Sequence, residues 1–285
     1  MPANEARIIR AGRGSPDRSG RWYALPPVRL PDNNVAILSQ PESRPRLFAL
    51  IPASGTGSRI GESTPKQYLP VAGQPLLFYP VLAMAENHRI ASIFVVLSPS
   101  DAHFDQFDWG RFGTRLTALR IGGDTRAETV LNGLRAIESQ VHDHDWILVH
   151  DAARPCLTRK LLDRLIDSVV NDDVGGLLAL PVADTIKSAA ETRRVSATVD
   201  RSALWQAQTP QMFRYRLLRM ALERANLGTV TDEASAMEQS GHEPYLVESD
   251  VTNLKVTYPS DLQLAELILR SYAHEAPKVP SEPGA

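Results

Sequence analysis

A glycine-rich loop followed by two cations is the strongest chemical feature of this sequence. The run Ala53–Gly61 contains three glycines and Arg59, and Lys66 follows shortly after it. Glycines allow backbone N–H groups to approach an anion closely, and the two cations add mobile positive charge. This combination suits a polyphosphate and a reaction in which negative charge grows on phosphorus. The alternative is a plain glycine turn beside two solvated cations.

Two common phosphate-binding loops do not fit this run. A P-loop ends in Gly-Lys-Ser or Gly-Lys-Thr, and neither tripeptide occurs in the chain. The dinucleotide fingerprint requires its third glycine one position before Gly61, and Ser98–Ser100 stand where an acidic residue would bind a ribose. No tyrosine precedes a lysine by four residues, as short-chain dehydrogenases require. These mismatches disfavour a dehydrogenase.

Alternating strand-like and helix-like runs indicate how the loop is positioned. Short apolar runs predict buried strands, and apolar residues at helical spacing predict helices. This alternation is typical of an α/β domain with a mainly parallel mixed sheet flanked by helices, in which the loop follows the first strand. The predicted strands are Leu47–Pro52, Ile93–Leu97, 117–121, Trp146–Val149 and Gly175–Leu180. The predicted helices are Pro75–Ala85, Thr125–Ile137, Leu161–Val170 and Pro259–Tyr272.

Residues 183–201 interrupt this alternation. They are polar and of mixed charge, and few of them are suited to a hydrophobic core. We predict a protruding β-arm here, since such arms often reach a second subunit. An ordinary surface loop is the alternative.

Composition limits the class of protein. The chain has 285 residues, of which 43% are hydrophobic, so it can fill a core, and no run approaches the roughly 18 apolar residues of a membrane span. The single cysteine, Cys156, excludes a disulfide framework and a cysteine-rich zinc site, and we interpret it as a packing residue. A net charge of −2 gives no overall attraction to nucleic acid or anionic membranes, so neither is an expected partner.

The ends of the chain differ from its middle. Residues 1–45 contain seven arginines against four acidic residues and seven of the 21 prolines. We interpret 1–45 and 276–285 as flexible extensions of one domain at 46–275. A start codon placed too early is the alternative for the first extension. Because that extension lacks the apolar segment of a secretory signal, we predict a cytoplasmic protein.

A series of short motifs, taken in order, resembles the 2-C-methyl-D-erythritol 4-phosphate cytidylyltransferase family. Each motif is weak alone, but their ordered combination from about 46 to 270 is specific. The motifs are Pro52–Arg59, Pro65–Tyr68, Gly122–Asp124 with Arg126, Val149–Pro155, Pro181–Thr185, Thr198–Arg201, Leu204–Gln211, Thr231–Ser235 and Asn253–Thr257.

The resemblance implies a fold and a reaction. The fold would be a Rossmann-like nucleotidyltransferase fold with the protruding β-arm. The reaction would transfer CMP from CTP to methylerythritol phosphate and release pyrophosphate, in isoprenoid precursor biosynthesis by the non-mevalonate pathway. The resemblance also implies Mg²⁺, or another divalent cation, bound largely by the CTP phosphates, and a homodimer formed through the arm. A cytidylyltransferase for another polyol phosphate, such as ribitol 5-phosphate, and a nucleotide-binding regulatory protein are the alternatives.

The resemblance further implies roles for individual residues. The catalytic residues would be Arg59 and Lys66 at the α-phosphate, with Arg201 and Lys255 holding the polyol phosphate. The nucleotide would bind Ala53, Ser54, Gly55, Gly122, Gly123, Asp124, Thr129 and Asp151. The polyol phosphate would also contact Arg154, Thr185, Thr209 and Thr231.

Three of these residues have a plain structural alternative. Thr129 would otherwise be a threonine on a helix surface, Asp151 an N-cap or turn residue, and Thr231 a helix cap. As a functional residue, Asp151 could hold the ribose, the second substrate or a divalent cation. The sequence assigns no protein ligand to the metal.

Overall fold

The computed structural model describes residues 44–55 and 64–275. Arg59 and almost all of the two predicted extensions lie outside the described residues. The strands are β1 (Leu47–Ala53), β2 (Pro70–Val71), β3 (Gln74–Pro75), β4 (Ile90–Leu97), β5 (Leu116–Arg120), β6 (Trp146–Val149), β7 (Gly175–Pro181), β8 (Ile186–Ala189), β9 (Val195–Val199), β10 (Trp205–Arg214) and β11 (Tyr245–Glu248). The α-helices are α1 (Phe78–Ala85), α2 (Arg126–Ala136), α3 (Arg159–Val169), α4 (Tyr215–Arg224), α5 (Glu233–Gln239) and α6 (Pro259–Glu275).

Seven of the strands form one mixed sheet in the order β11–β7–β10–β6–β1–β4–β5. Strand β10 runs antiparallel to both of its neighbours, whereas the other neighbouring pairs are parallel. The prediction of a mainly parallel mixed sheet flanked by helices is therefore confirmed. Because parallel strands end at the same edge, the loops that follow β1, β4 and β6 meet there.

The centre of the sheet is buried on both faces, as the continuous apolar run of β1 predicts. Ala49 and Ile51 pack in a core with helices α1 and α3. Phe48 and Leu50 point to the other face and pack in a core with α2, α4 and α5. Successive side chains of one strand thus fill two cores and fix the point at which the glycine-rich loop begins.

The boundaries of α1 differ from the prediction. The helix begins at Phe78 rather than Pro75, because Pro75 belongs to β3 and pairs with Pro70 in a small hairpin. The proline in the first helical turn is instead Pro80, where a missing N–H breaks no helical hydrogen bond. Strands β2, β3, β10 and β11 and helix α4 were not predicted, and of α5 the sequence indicated only a helix start near Thr231.

Residues predicted to form an arm contain a hairpin. Strands β8 and β9 pair antiparallel and make a separate two-stranded sheet, so this segment is not an ordinary loop. Its residues are exposed or half-buried, and Val195 is 64% exposed. Thr185 precedes the first strand of the hairpin and Arg201 follows the second, so these two residues lie at its base.

A third, smaller core connects α6 to the β2–β3 hairpin. Cys156 is fully buried in this core, beside Ala265 of α6. Burial raises the pKa of its thiol to about 12, which suits the predicted packing role. Within the described residues, no helix combines the length and the apolar character needed to cross a membrane.

Candidate active site

A cleft of about 600 Å³ opens at the carboxyl ends of β1, β4 and β6. It lies where ligands bind in open α/β sheets, at the edge to which the parallel strands point. Most of the predicted nucleotide-binding residues line it, together with both predicted catalytic lysines. The lining includes Ala53, Ser54, Gly55, Lys66, Gly122, Gly123, Asp124, Asp151 and Lys255.

Gln67 holds the start of the glycine-rich loop in place. Its side-chain amide is buried and donates hydrogen bonds to the carbonyl oxygens of Ala53, at 2.8 Å, and Gly55, at 3.1 Å. The ammonium group of the adjacent Lys66 donates to the carbonyl oxygen of Val256 at 2.9 Å. Lys66 therefore approaches the chain segment that carries Lys255.

Gly122 lies too close to the glycine-rich loop to carry a side chain. A Cβ atom there would lie 2.4 Å from the Cβ of Ser54 and 2.8 Å from the carbonyl oxygen of Leu97. The Gly122 N–H donates to that same carbonyl at 2.7 Å. The close approach holds the loop after β5 against the loop after β1, and the two together form one wall of the cleft.

Thr129 connects these two loops from behind the cleft. It is fully buried on α2, so the alternative of a surface threonine is wrong. Its hydroxyl lies 2.7 Å from that of Ser54, donates to the carbonyl of Thr125 at 2.8 Å and accepts the N–H of Gly123 at 3.1 Å. Thr129 does not line the cleft, but it positions two residues that do.

Four side chains of alternating charge form a continuous row, which we call the charge row: Glu233, Arg126, Asp151 and Lys255. The Arg126 guanidinium donates to both carboxylate oxygens of Glu233, at 2.7 and 3.0 Å, and its Nε donates to Asp151 at 2.9 Å. The second oxygen of Asp151 lies 2.8 Å from the Lys255 ammonium. Glu233 and Asp151 are buried, with side-chain exposures of 1% and 8%, whereas Arg126 is 25% exposed and Lys255 44%.

The charge row determines which protonation states the site favours. Burial alone would raise the pKa of Asp151, but Arg126, Lys255 and Arg154 together hold it well below its ordinary range. Burial raises the pKa of Glu233, while the adjacent guanidinium favours its ionised form. Burial alone would lower the pKa of Arg126. The carboxylates of Glu233 and Asp151 outweigh that effect, so its pKa is raised. Asp151 is consequently an anion at neutral pH.

His150 is a neutral hydrogen-bonding residue beneath this row. Its Nε2 lies 3.1 Å from the Arg154 carbonyl, which can only accept, so this nitrogen carries the proton. Its Nδ1 then accepts the Thr209 hydroxyl at 2.9 Å, and the Thr209 oxygen accepts the N–H of Asp151 at 3.0 Å. Burial lowers the pKa of His150 to about 4, which keeps the ring uncharged at pH 7.

A second pocket of about 250 Å³ adjoins the cleft. Arg126, Asp151 and Lys255 line both cavities and form the wall between them. The other side of the second pocket comes mainly from β10 and from the residues before α5. Its remaining lining consists of Arg154, Ala207, Gln208, Thr209, Gln211, Thr231 and Asp232.

Comparison with known proteins identifies the family. The family model for 2-C-methyl-D-erythritol 4-phosphate cytidylyltransferase (IspD) matches residues 47–271. The chain belongs to this family. Its similar relatives include the cytidylyltransferase of that name from Nitrosospira multiformis, which is 55% identical over 226 residues, covering 79% of this chain and 97% of the relative. The relative from Azoarcus is also 55% identical, over 80% of this chain and 95% of its own length.

Solved structures of the family share the fold. A crystal structure of 4-diphosphocytidyl-2C-methyl-D-erythritol synthase superposes with a TM-score of 0.71 at 40% identity, covering 80% of this chain and all of that one. The cytidylyltransferase of Francisella tularensis superposes with a TM-score of 0.68 at 30% identity, over 78% and 99% of the two chains. The family assignment and the predicted fold class therefore agree.

The structure groups the predicted family residues into three sets. The first set consists of the predicted residues that line the cleft and the adjoining second pocket, as described above. Thr185 and Arg201 line neither cavity of their own chain and lie at the base of the hairpin. Arg59 lies outside the described residues.

Several residues of the site were not assigned from the sequence. Arg126 and His150 lie within family motifs, so their positions were visible although their contacts were not. Gln67 and Gln211 also occur inside motifs, where polar side chains next to strands were the available signal. Glu233 lies within the motif Thr231–Ser235, which the sequence otherwise explains as a helix start, so nothing in the pattern indicates its contact with Arg126. The helix cap there is Asp232 rather than Thr231, because the Asp232 carboxylate accepts the Ser235 N–H at 2.9 Å.

The described residues do not form a site for a resident metal ion. They contain no group of three or more His, Cys, Asp or Glu side chains arranged to hold one. Both oxygens of Asp151 already contact cationic side chains, at 2.8 and 2.9 Å. A protein cage for Mg²⁺ is therefore not present in this part of the chain.

Proposed function

We propose that this chain transfers CMP from CTP to 2-C-methyl-D-erythritol 4-phosphate. A phosphate oxygen of the polyol attacks the α-phosphorus of CTP, a new P–O bond forms, and the bond to the β-phosphate breaks to release pyrophosphate. The product belongs to isoprenoid precursor biosynthesis. The attacking phosphate is already largely ionised at pH 7, so no side chain has to remove a proton.

The observation that carries this proposal is the shared wall between the two pockets. Arg126, Asp151 and Lys255 line both cavities, so groups bound on either side meet at the same charged residues. Phosphoryl transfer depends mainly on positioning and on stabilisation of negative charge, which two cations at the junction provide. The larger cavity suits a nucleoside triphosphate and the smaller one suits a short polyol phosphate.

On the nucleotide side, we assign the triphosphate to the loop after β1. Backbone atoms of Ala53, Ser54 and Gly55 would contact the phosphates, with Lys66 and Arg59 at the α-phosphate. The cytosine and ribose would lie against the strip from Gly122 to Asp124, where the lack of side chains at two positions leaves the backbone accessible. Thr129 would act through Ser54 and Gly123.

On the acceptor side, Arg154 is the principal candidate for phosphate binding within this chain. Its side chain is only 9% exposed and lines the second pocket. Its Nη1 donates to the carbonyl of Asn253 at 2.8 Å, and its Nε lies 3.7 Å from the Asp151 carboxylate. The guanidinium therefore places positive charge at the pocket wall, where it can attract a phosphate. Thr209 and Thr231 line the same pocket, but the Thr209 hydroxyl is already bonded to His150 and to the Asp151 N–H, so Thr231 is the hydroxyl that suits a polyol.

Thr185 and Arg201 belong to the proposal as residues of the arm. Since they line neither pocket of their own chain, we assign them to the active site of a second copy of this chain, in a homodimer formed through β8 and β9. The exposure of this hairpin supports that assignment. A divalent cation would arrive on the triphosphate, bound by its oxygens. The expected cytoplasmic location and the absence of a nucleic-acid or membrane partner stay predictions.

Release of pyrophosphate tests the function directly. The purified chain is incubated with CTP and one polyol phosphate at a time, including methylerythritol phosphate and ribitol 5-phosphate, and pyrophosphate is measured continuously. We expect release with methylerythritol phosphate and little with ribitol 5-phosphate or with ATP in place of CTP. Release only with a different acceptor would overturn the substrate assignment, and no release with any acceptor would overturn the activity.

A further inference from the structure

Glu233 is the most buried charged residue near the two pockets. No role was predicted for it from the sequence, and the proposed reaction assigns it none. Its side chain is 1% exposed and lines neither cavity. A buried carboxylate is costly unless it is paired, and Glu233 binds both terminal nitrogens of Arg126. Because Glu233 forms the inner end of the charge row, its position can affect the orientation of the residues that follow it.

Helix α5 fixes Glu233 firmly. Gln211 of β10 donates to the Asp232 carboxylate at 2.8 Å and accepts the N–H of Ala234 at 2.7 Å, so it clamps the first turn from the sheet side. Asp232 and Ser235 cap the same turn by reciprocal hydrogen bonds. Glu233 lies between these anchored residues, so its carboxylate has little freedom to follow Arg126 if the guanidinium moves.

Arg126 transmits that fixed position to the wall between the pockets. Three of its five N–H groups are committed, two to Glu233 and one to Asp151. Asp151 in turn binds Lys255 through its other oxygen. Each group in the charge row is therefore oriented by the one before it, and the row ends at the half-exposed lysine that lines both pockets.

We propose that Glu233 is a positioning residue, which orients Arg126 and, through Asp151, places the Lys255 ammonium at the junction of the two substrates. It acts without touching either substrate. This inference rests on the proposed function for its kinetic consequence, but the arrangement of the charge row is independent of which reaction takes place. The two parts can consequently be tested separately.

The kinetic test replaces Glu233→Gln, which keeps the shape and removes the charge. We expect kcat to fall about tenfold or more, because a small displacement of charge at the reacting groups is costly, while the dissociation constant for CTP alone changes little. In an Arg126→Ala background the same replacement should have no further effect on kcat. Glu238→Gln, on the exposed side of the same helix, is the matched control.

The second readout does not need a substrate. Lys255 and the exposed Lys160 are acetylated in the folded protein with limiting acetic anhydride, and the two rates are compared by mass spectrometry. We expect Glu233→Gln to raise the rate at Lys255 several-fold relative to Lys160, and Glu238→Gln to leave the ratio unchanged. A higher acetylation rate at Lys255 supports the role of Glu233 in positioning the charge row. If that increase is seen but no acceptor is turned over, only the proposed function fails.

Two results would overturn the inference. One is a folded Glu233→Gln protein, with an unchanged unfolding midpoint, whose Lys255 labelling and kcat both match the unsubstituted protein. The other is a loss of kcat that is equally large with and without Arg126, since Glu233 would then act by another route. Should Glu233→Gln fail to fold, Glu233→Asp carries the same tests, because its shorter carboxylate cannot reach both guanidinium nitrogens in the same geometry.

Discussion

The ammonium of Lys66 lies 2.9 Å from the carbonyl oxygen of Val256, the residue that follows Lys255. The N–H of Val256 donates to the carbonyl of Ala153 at 2.8 Å, which ties this segment to the loop after β6. One short stretch of backbone thus brings together two lysines separated by 189 positions and holds them beside the cleft. Their convergence leads to the first prediction.

Replacing Lys66→Ala should lower kcat by about 100-fold or more, because charge stabilisation at the reacting phosphate is lost. The dissociation constant for CTP should change much less, since the proposed phosphate contacts of the backbone after β1 are retained. Steady-state kinetics and calorimetric titration with CTP measure the two effects. Lys160→Ala, on an exposed helix surface, should change neither. Equal losses in kcat and CTP affinity would contradict a role at the transition state.

Gly122 and Gly123 provide a matched pair of substitutions. Gly122→Ala places a methyl group against the Leu97 carbonyl and the Ser54 side chain, so backbone must move. For Gly123→Ala the nearest atoms all belong to the flexible side chain of Glu128, which can rotate away at the loss of its bond to the Asp124 N–H. We expect the larger rise in KM for CTP from Gly122→Ala, with a stability loss of about 1–3 kcal/mol. A larger rise from Gly123→Ala would argue against this packing.

The Ser54–Thr129 contact should couple the two loops of the nucleotide cleft. Thr129→Val keeps the volume but removes the hydroxyl that serves Ser54, Thr125 and Gly123, and we expect it to cost about 1–3 kcal/mol of stability and to raise KM for CTP. Ser54→Ala should cost less. A double-mutant cycle measures the coupling, and strictly additive effects on KM would show that the hydroxyls act independently.

His150 should make folding stability depend on pH in a defined window. Its pKa is lowered from 6.5 to about 4 by burial, so between these values the unfolded chain binds a proton that the folded chain does not. The resulting stability is complete above pH 6.5 and is lost as the pH falls towards 4, an effect on the order of 3 kcal/mol. Urea unfolding at pH 7 and pH 4.5 should show a smaller difference for His150→Asn. His88→Asn, at an exposed position, should retain the full difference.

The arm predicts complementation between two variants that are each impaired at a different part of the shared site. Arg201→Ala should raise KM for the polyol phosphate and leave CTP affinity nearly unchanged, because Arg201 is assigned to the acceptor of the neighbouring copy. Mixtures of Arg201→Ala and Lys66→Ala chains should then recover activity, since one of the two shared sites is intact in a mixed dimer. Subunit exchange is verified by native mass spectrometry. Verified exchange without recovery would disprove a composite site.

Short-range patterns of apolar residues and helix caps predicted the elements that they define directly. Strand β6 matches its predicted bounds, and α2 begins at Arg126, one residue after the predicted start at Thr125, whose hydroxyl caps the helix. Strand β10 escaped prediction because polar residues and an irregularity between Ala207 and Gln211 interrupt its alternation. Its antiparallel direction also departs from the simple β–α alternation.

The candidate site likewise contains residues that local patterns indicate and residues that only tertiary contacts bring together. The glycine-rich loop after β1 was visible in the sequence because glycines and cations cluster within a few positions, and the family resemblance implied the roles of its residues. The pairing of Arg126 with Glu233 spans 107 positions, and no periodicity or spacing reveals it. Burial decides the roles of Thr129 and His150, and a sequence gives no direct measure of how far a polar side chain lies from solvent. Contacts that depend on tertiary packing therefore required the structure.

The two pockets draw on opposite halves of the sheet, with β6 between them. The larger uses loops that follow β1, β4 and β5, whereas the smaller depends on β10 and the start of α5. With the functions assigned above, donor and acceptor recognition are separable units, and the described residues that they share are Arg126, Asp151 and Lys255. Replacing the β10 residues that line the smaller pocket should consequently change the accepted alcohol phosphate while CTP remains the donor. Strand β10 is therefore the place to begin engineering.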